Sequence, residues 1–290
     1  KGYQTISAAW ASGGNLNTAR ERLASANAST QNVGLVFGGN VGTPPSPTAS
    51  NTSEEYNGSS WTEGNNLNNA RLALSGAGTQ TAGLAFGGGY PLPTLGNKTE
   101  EYNGTSWTAV NNMGTTRAGF GGAGIQTAAI AIGNYPAGTT EEYDGTNWTA
   151  GGSLGTGRYG IGAAGTLTAG LAFGGASPVT GKTEEYNGTS WSESGDLNDS
   201  RLGISGAGSQ TAALGFGGAP GPSGQVLTEK YDGTSWTTTS SLAQARFYLA
   251  GFGTQASAVA AGGFSAPLGN LNNTEEFTDT FNAAKTLTTS

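Results

Sequence analysis

The sequence predicts an all-β fold built from six copies of one four-stranded unit, and three observations predict it. Six tryptophans (Trp10, Trp61, Trp107, Trp148, Trp191, Trp236) are each followed ten residues later by an arginine: Arg20, Arg71, Arg117, Arg158, Arg201 and Arg246. A glycine motif then closes an apolar run: Gly38-Gly39, Gly87-Gly88, Gly133 alone, Gly174-Gly175, Gly217-Gly218 and Gly262-Gly263. Helical periodicity is nowhere visible, and 52 glycines in 290 residues oppose it.

Each unit of 41–51 residues reads as four short strands. The first is rich in small residues and starts at the arginine, as in RLALSGAG. A turn at Thr79-Gln80 leads to the second, TAGLAFGG. The third carries Glu-Glu-Tyr and ends at an Asn-Gly or Asp-Gly pair, whose tolerance of positive φ suits a tight turn. The fourth begins at the tryptophan. Four-stranded units of this period are the blades of a β-propeller, in which each unit buries its faces against its neighbours. The chain opens on a tryptophan strand near residues 3–11 and ends its last copy at Glu275-Glu276-Phe277. The last blade therefore lacks a fourth strand of its own, and the N-terminal one is expected to complete it and close the ring. We expect one six-bladed domain over residues 1–277, with residues 278–290 as an extension: a rim strand or a linker.

Composition removes most chemistries. Histidine and cysteine are both absent, so disulfides, the usual zinc, copper and haem ligands, and Ser-His-Asp or Cys-His triads are unavailable. Charged residues are 11% and the net charge is −7, with no basic run. That argues against nucleic acid and against docking on an anionic membrane. No apolar run approaches the ~20 residues of a membrane helix. No cofactor is expected, and Lys1 in place of Met points to a processed chain or a piece of a longer one.

The order arginine, Gly-Gly after GLAF, tyrosine, tryptophan resembles the kelch repeat over essentially the whole chain. Two copies depart from it: Ile132-Gly133-Asn134 lacks the doublet, and Phe277 replaces tyrosine. The wording TEEYNGTSW is similar to kelch-like proteins encoded in marine phage and bacterial genomes. The resemblance implies a recognition or structural module on a virion tail, fibre or extracellular appendage, alongside other subunits of that assembly. Galactose-oxidase chemistry, known on a similar propeller, needs copper, histidine and a Tyr–Cys link, and this chain has neither histidine nor cysteine.

Alternation along the third strand puts its first glutamate (Glu54, Glu100, Glu141, Glu184, Glu229, Glu275) on the tyrosine's face. Topology sets it two strand spacings, roughly 9–10 Å, from the arginine of its own blade, so a ring of structural Arg–Glu pairs is expected. The second glutamate becomes Lys230 in one copy, which reads as a solvated position. Adjacent carboxylates point to opposite faces, so they cannot flank one glycosidic bond. DGTNW, beginning at Asp144, is only loosely similar to a sialidase Asp box, which is itself structural.

Two binding readings remain. Arginine, glutamate and tryptophan also line the inter-blade pockets of six-bladed fucose-binding lectins, so a multivalent lectin is the alternative. The preferred reading rests on what varies between copies. From the first glycine to the tyrosine (Phe277 in the last copy) the spacings are 18, 15, 10, 12, 14 and 15, so nearly all length variation lies in the loop from strand two to strand three. All six such loops emerge on one face, and prolines stiffen them. A glycan or protein surface is the expected partner there, with Tyr90, Tyr135, Phe264, Asn40, Lys98 and Lys182 as candidate contacts.

Overall fold

A computed structural model describes residues 2–89, 95–221 and 223–285. Strands β1 (Gly2–Ile6) and β2 (Ala9–Ser12) precede six blades. The first blade is β3 (Ala24–Ser25), β4 (Gly34–Phe37), β5 (Ser53–Tyr56) and β6 (Trp61–Glu63). The second is β7 (Ser75–Thr79), β8 (Ala82–Phe86), β9 (Thr99–Tyr102) and β10 (Trp107–Val110). The third is β11 (Gly121–Ile125), β12 (Ala128–Ile132), β13 (Thr140–Tyr143) and β14 (Trp148–Ala150). The fourth is β15 (Gly162–Thr166), β16 (Ala169–Phe173), β17 (Thr183–Tyr186) and β18 (Trp191–Ser194). The fifth is β19 (Leu202–Ser209), β20 (Ala212–Ala219), β21 (Thr228–Tyr231) and β22 (Trp236–Thr238). The sixth takes β23 (Ala250–Thr254), β24 (Ser257–Ala261), the loop hairpin β25 (Phe264–Ser265) and β26 (Gly269–Asn270), and β27 (Thr274–Thr278). Its fourth strand is β2, paired antiparallel with β27 so that Trp10 lies opposite Phe277. The result is a six-bladed β-propeller closed by its own N-terminus.

Two boundaries differ from the sequence expectation. The predicted strand over residues 3–11 is split: β1 leaves the blade and pairs with β28 (Phe281–Lys285), so the two termini form a separate two-stranded ribbon. In the second unit the first strand begins at Ser75, four residues after Arg71, because Ala73 turns the backbone into the left-handed region at φ 57°.

The blades interlock through side chains that the repeat supplies once per copy. Phenylalanines at the end of strand two press onto small residues of the next blade's first strand. A Cβ added at Gly76, Gly122, Gly206 or Gly251 would stand 2.5–2.7 Å from the Cζ of Phe37, Phe86, Phe173 or Phe216 respectively. Each tryptophan indole reaches back to a threonine hydroxyl of the preceding blade, as in Trp61 to Thr274 at 2.9 Å and Trp148 to Thr99 at 3.0 Å. Trp107 is the exception: the corresponding residue is Ser53, whose hydroxyl donates instead to Asn65 O, and the buried Trp107 Nε1 has no partner. Restoring the hydroxyl acceptor with Ser53→Thr is expected to stabilise the protein by about 0.5–1.5 kcal/mol. An unchanged or lowered denaturant midpoint for that variant would contradict this.

The second glutamate is not a free solvated position. Tyr102 Oη donates to Glu55 at 2.6 Å, Tyr143 to Glu101 at 2.8 Å, Tyr231 to Glu185 at 2.6 Å and Tyr56 to Glu276 at 2.5 Å, with Tyr186 bonded likewise to Glu142. Each bond joins one blade to the one before it. The replacements of the second glutamate and of the tyrosine fall at one junction: Lys230 stands where the tyrosine has become Phe277, which has no hydroxyl to donate. Lys230 Nζ pairs with Asp279 at 2.5 Å instead.

Desolvation, reinforced by the glutamate hydrogen bond, pushes the Tyr186 and Tyr231 phenols up to about 12 and raises Tyr56, Tyr102 and Tyr143 as well. The folded protein thus keeps these protons above pH ~10, where an unfolded chain releases them. Their contribution to stability is complete below pH ~10 and is lost as pH rises toward about 12. Denaturant midpoints should fall between pH 9 and 11.5, and equal midpoints at the two values would refute the linkage.

Candidate functional site

The six predicted Arg–Glu pairs form as short contacts within their own blades. Guanidinium and carboxylate meet at 2.5 Å (Arg20–Glu54), 2.9 Å (Arg71–Glu100), 2.5 Å (Arg117–Glu141), 2.7 Å (Arg158–Glu184), 2.7 Å (Arg201–Glu229) and 2.5 Å (Arg246–Glu275). All twelve residues are buried. The arginines also donate to main-chain carbonyls, as Arg71 does to Gly87 O at 2.8 Å and Lys98 O at 2.9 Å. The glutamates in turn accept main-chain N–H groups from the loop before the arginine, as Glu100 does from Asn68 at 2.7 Å. Burial lowers the Arg71 and Arg201 pKa values while the paired carboxylates oppose the shift. A ligand between blades would need these groups at the surface, and here they are spent on one another.

The loop-face candidates separate. Tyr135 is exposed and sits edge-on to Tyr159 at 6.3 Å between ring centroids. Phe264 is half-buried against Phe247 at 5.6 Å. Asn40 is buried and structural: its amide donates to Glu21 at 2.9 Å and its carbonyl oxygen accepts Gly42 and Thr48 N–H groups. Lys182 is tied to Glu193 at 2.6 Å, toward the outer edge, and Lys98 is half-buried. Tyr90 lies outside the described residues.

The structure adds a site on the axis that the repeat motifs did not single out. Two residues after each arginine the backbone enters the left-handed region: Arg22, Ala73, Gly119, Gly160, Gly203 and Tyr248, with φ between 53° and 66°. Their amides form a closed circle, each N–H donating to the equivalent carbonyl one blade back at 2.5–2.9 Å. Inside this circle lies a mouth of about 340 Å³. That falls at the small end of ligand pockets. Its floor is a collar of six apolar side chains, one per blade: Leu23, Leu74, Phe120, Ile161, Ile204 and Leu249. The same six cap a second cavity of about 100 Å³ deeper on the axis, lined by strand-one glycines and by Ser25, Asn27, Ser75 and Ser205.

Around the mouth the chain concentrates aromatic side chains on one arc. Phe247 and Tyr248 lie 5.0 Å apart by ring centroid, and the Arg22 guanidinium carbon sits 4.4 Å from the centre of the Tyr248 ring. A neighbouring cleft of about 200 Å³ is walled by Glu21, Arg22, Asn40, Leu72 and three prolines, Pro44, Pro45 and Pro47. Among the described residues no group of three or more Asp or Glu could hold a metal ion. A sequence signal for the mouth existed in the residue two places after each arginine, where three copies have glycine and two have Arg22 and Tyr248.

No family model matches the chain, and no curated protein matches it. Many solved structures share the fold. The structure of YjhT superposes with a TM-score of 0.74 over 93% of this chain and 99% of that one, at 13% sequence identity. At that identity the likeness establishes the propeller and nothing about activity.

Proposed function

We propose that the protein is a non-catalytic recognition or structural module of the kelch-like type, binding a glycan or a protein surface through the variable-loop face. A virion tail or fibre, or an extracellular appendage, is the setting in which such a module would serve. The observation that carries the reading is the contrast between copies: a framework repeated six times, and loops on one face that differ in length and carry Tyr135 and Phe264, each packed on an aromatic ring beside a framework arginine, Tyr159 and Phe247 respectively. A framework consumed by buried ion pairs leaves the differing parts to distinguish one ligand from another.

A glycan array followed by calorimetry tests it. Binding with one site per chain, abolished when the short loop of residues 134–139 replaces the other loops, supports the loop face. A count near six, surviving that graft, would favour the lectin alternative with sites between blades. Turnover of any bound sugar would overturn the non-catalytic reading.

A further inference from the structure

We infer that the axial mouth is a binding site for a carboxylate carried on an apolar body, with Arg22 as the carboxylate-binding residue. Four observations converge. Among the described residues the Arg22 side chain makes no hydrogen bond, and its one carboxylate neighbour, Glu21, lies 3.9 Å from Nε and leaves both terminal nitrogens available. Glu21 is itself held by Asn40. The guanidinium is oriented over the Tyr248 ring, so its fork is set before a ligand arrives.

Backbone conformation marks the same two residues. Arg22 and Tyr248 both hold φ 53°, at positions where three other copies use glycine. A non-glycine side chain in the left-handed region is strained, and such strain persists where the surrounding structure enforces it. The Tyr248 ring in turn rests on Gly203, where an added Cβ would come within 3.0 Å of it. The strained pair places one cation and one aromatic face on the rim of the mouth.

The walls decide the rest of the ligand. Every rim amide is already a donor in the closed circle of backbone bonds, and the floor is six aliphatic or aromatic side chains. A polyhydroxylated body would leave its hydroxyls unpaired against that floor, which is costly. An aliphatic or aromatic group would be buried favourably, with its carboxylate at Arg22. Two sources supply this chemistry: a free small acid, and the C-terminal residue of a protein chain entering along the axis.

The site is built from the residues leading into the first strands and touches the variable loops only through Asn40, the partner of Glu21, so the loop graft above should leave it intact when Asn40 is kept. Calorimetry on the whole chain uses N-acetyl-leucine, a hexapeptide ending in leucine, and the amide of each. Both acids, or the tighter of them, should bind once per chain, and the amides about tenfold or more weaker. Arg22→Ala should lose about tenfold or more of the affinity with its thermal midpoint retained, because Ala73 already occupies the equivalent position. Tyr248→Gly, which copies Gly119, Gly160 and Gly203, should weaken binding in the same direction. A hexapeptide tighter than the small acid identifies a protein terminus as the source, and the reverse identifies a free acid. Acid and amide binding alike, an Arg22→Ala protein that binds as before, or no binding by either acid at millimolar concentration would each overturn the proposal.

Discussion

Arg201→Ala is expected to cost about 3–5 kcal/mol of folding stability, enough to remove much of what a domain of this size has in reserve. The loss has little to do with the attraction between the two charges as such. Arg201 and Glu229 are both buried, and deleting the guanidinium leaves a carboxylate in the interior with only the Asn198 N–H groups as partners. It also strips Gly217 O and Leu227 O of their side-chain donor. Arg201→Lys should recover little, because one ammonium cannot span the carboxylate and both carbonyls as the planar fork does. Lys182→Ala, which breaks the pair with the exposed Glu193, should leave the denaturant midpoint unchanged. Equal midpoints for Arg201→Ala and the parent protein would show that the buried ring is not a source of stability.

The second large effect is at a blade junction. Phe173→Ala is expected to destabilise by about 3–5 kcal/mol, because the ring is fully buried and packs on Trp236 at 4.8 Å between centroids. Its fit depends on the glycine across the junction: a Cβ at Gly206 would stand 2.6 Å from Phe173 Cζ. Gly206→Ala alone should therefore cost about 1–3 kcal/mol through overpacking. The protein already contains the compensated pair one junction away, where Ile132 and Ala163 share a packing cluster. The double variant Phe173→Ile/Gly206→Ala should accordingly lose less than the two single changes together. Strict additivity in equilibrium unfolding would mean that these positions do not share the junction as described.

Five glutamines show what a repeat conceals until blades are placed side by side. Thr79-Gln80 reads as a turn, yet Gln80 Nε2 donates across the junction to Gly34 O and Tyr56 O, both at 3.0 Å. Gln31, Gln126, Gln210 and Gln255 do the same for other neighbours, and Leu167 takes the sixth place. The second glutamate was misread for a related reason. Lys230 reads as tolerance of charge reversal when its own strand is considered alone. Beside Phe277 of the next blade it is a coordinated change, since the hydroxyl donor and its acceptor disappear together.

By itself the sequence determined the number of blades, their four-stranded make-up, the closure by the N-terminal strand and the in-blade partners of six arginines. All of these follow from spacing within one unit, and the chain states that spacing six times. Only the tertiary structure decided what happens between units and on the axis. The tyrosine–glutamate clasps, the circle of backbone hydrogen bonds and the mouth holding Arg22, Tyr159 and Tyr248 each join residues from different copies. Such contacts depend on how far one blade is rotated against the next and on how closely first strands approach the axis. Those quantities are set by packing of small against large side chains across each junction, and no interval along the chain encodes them.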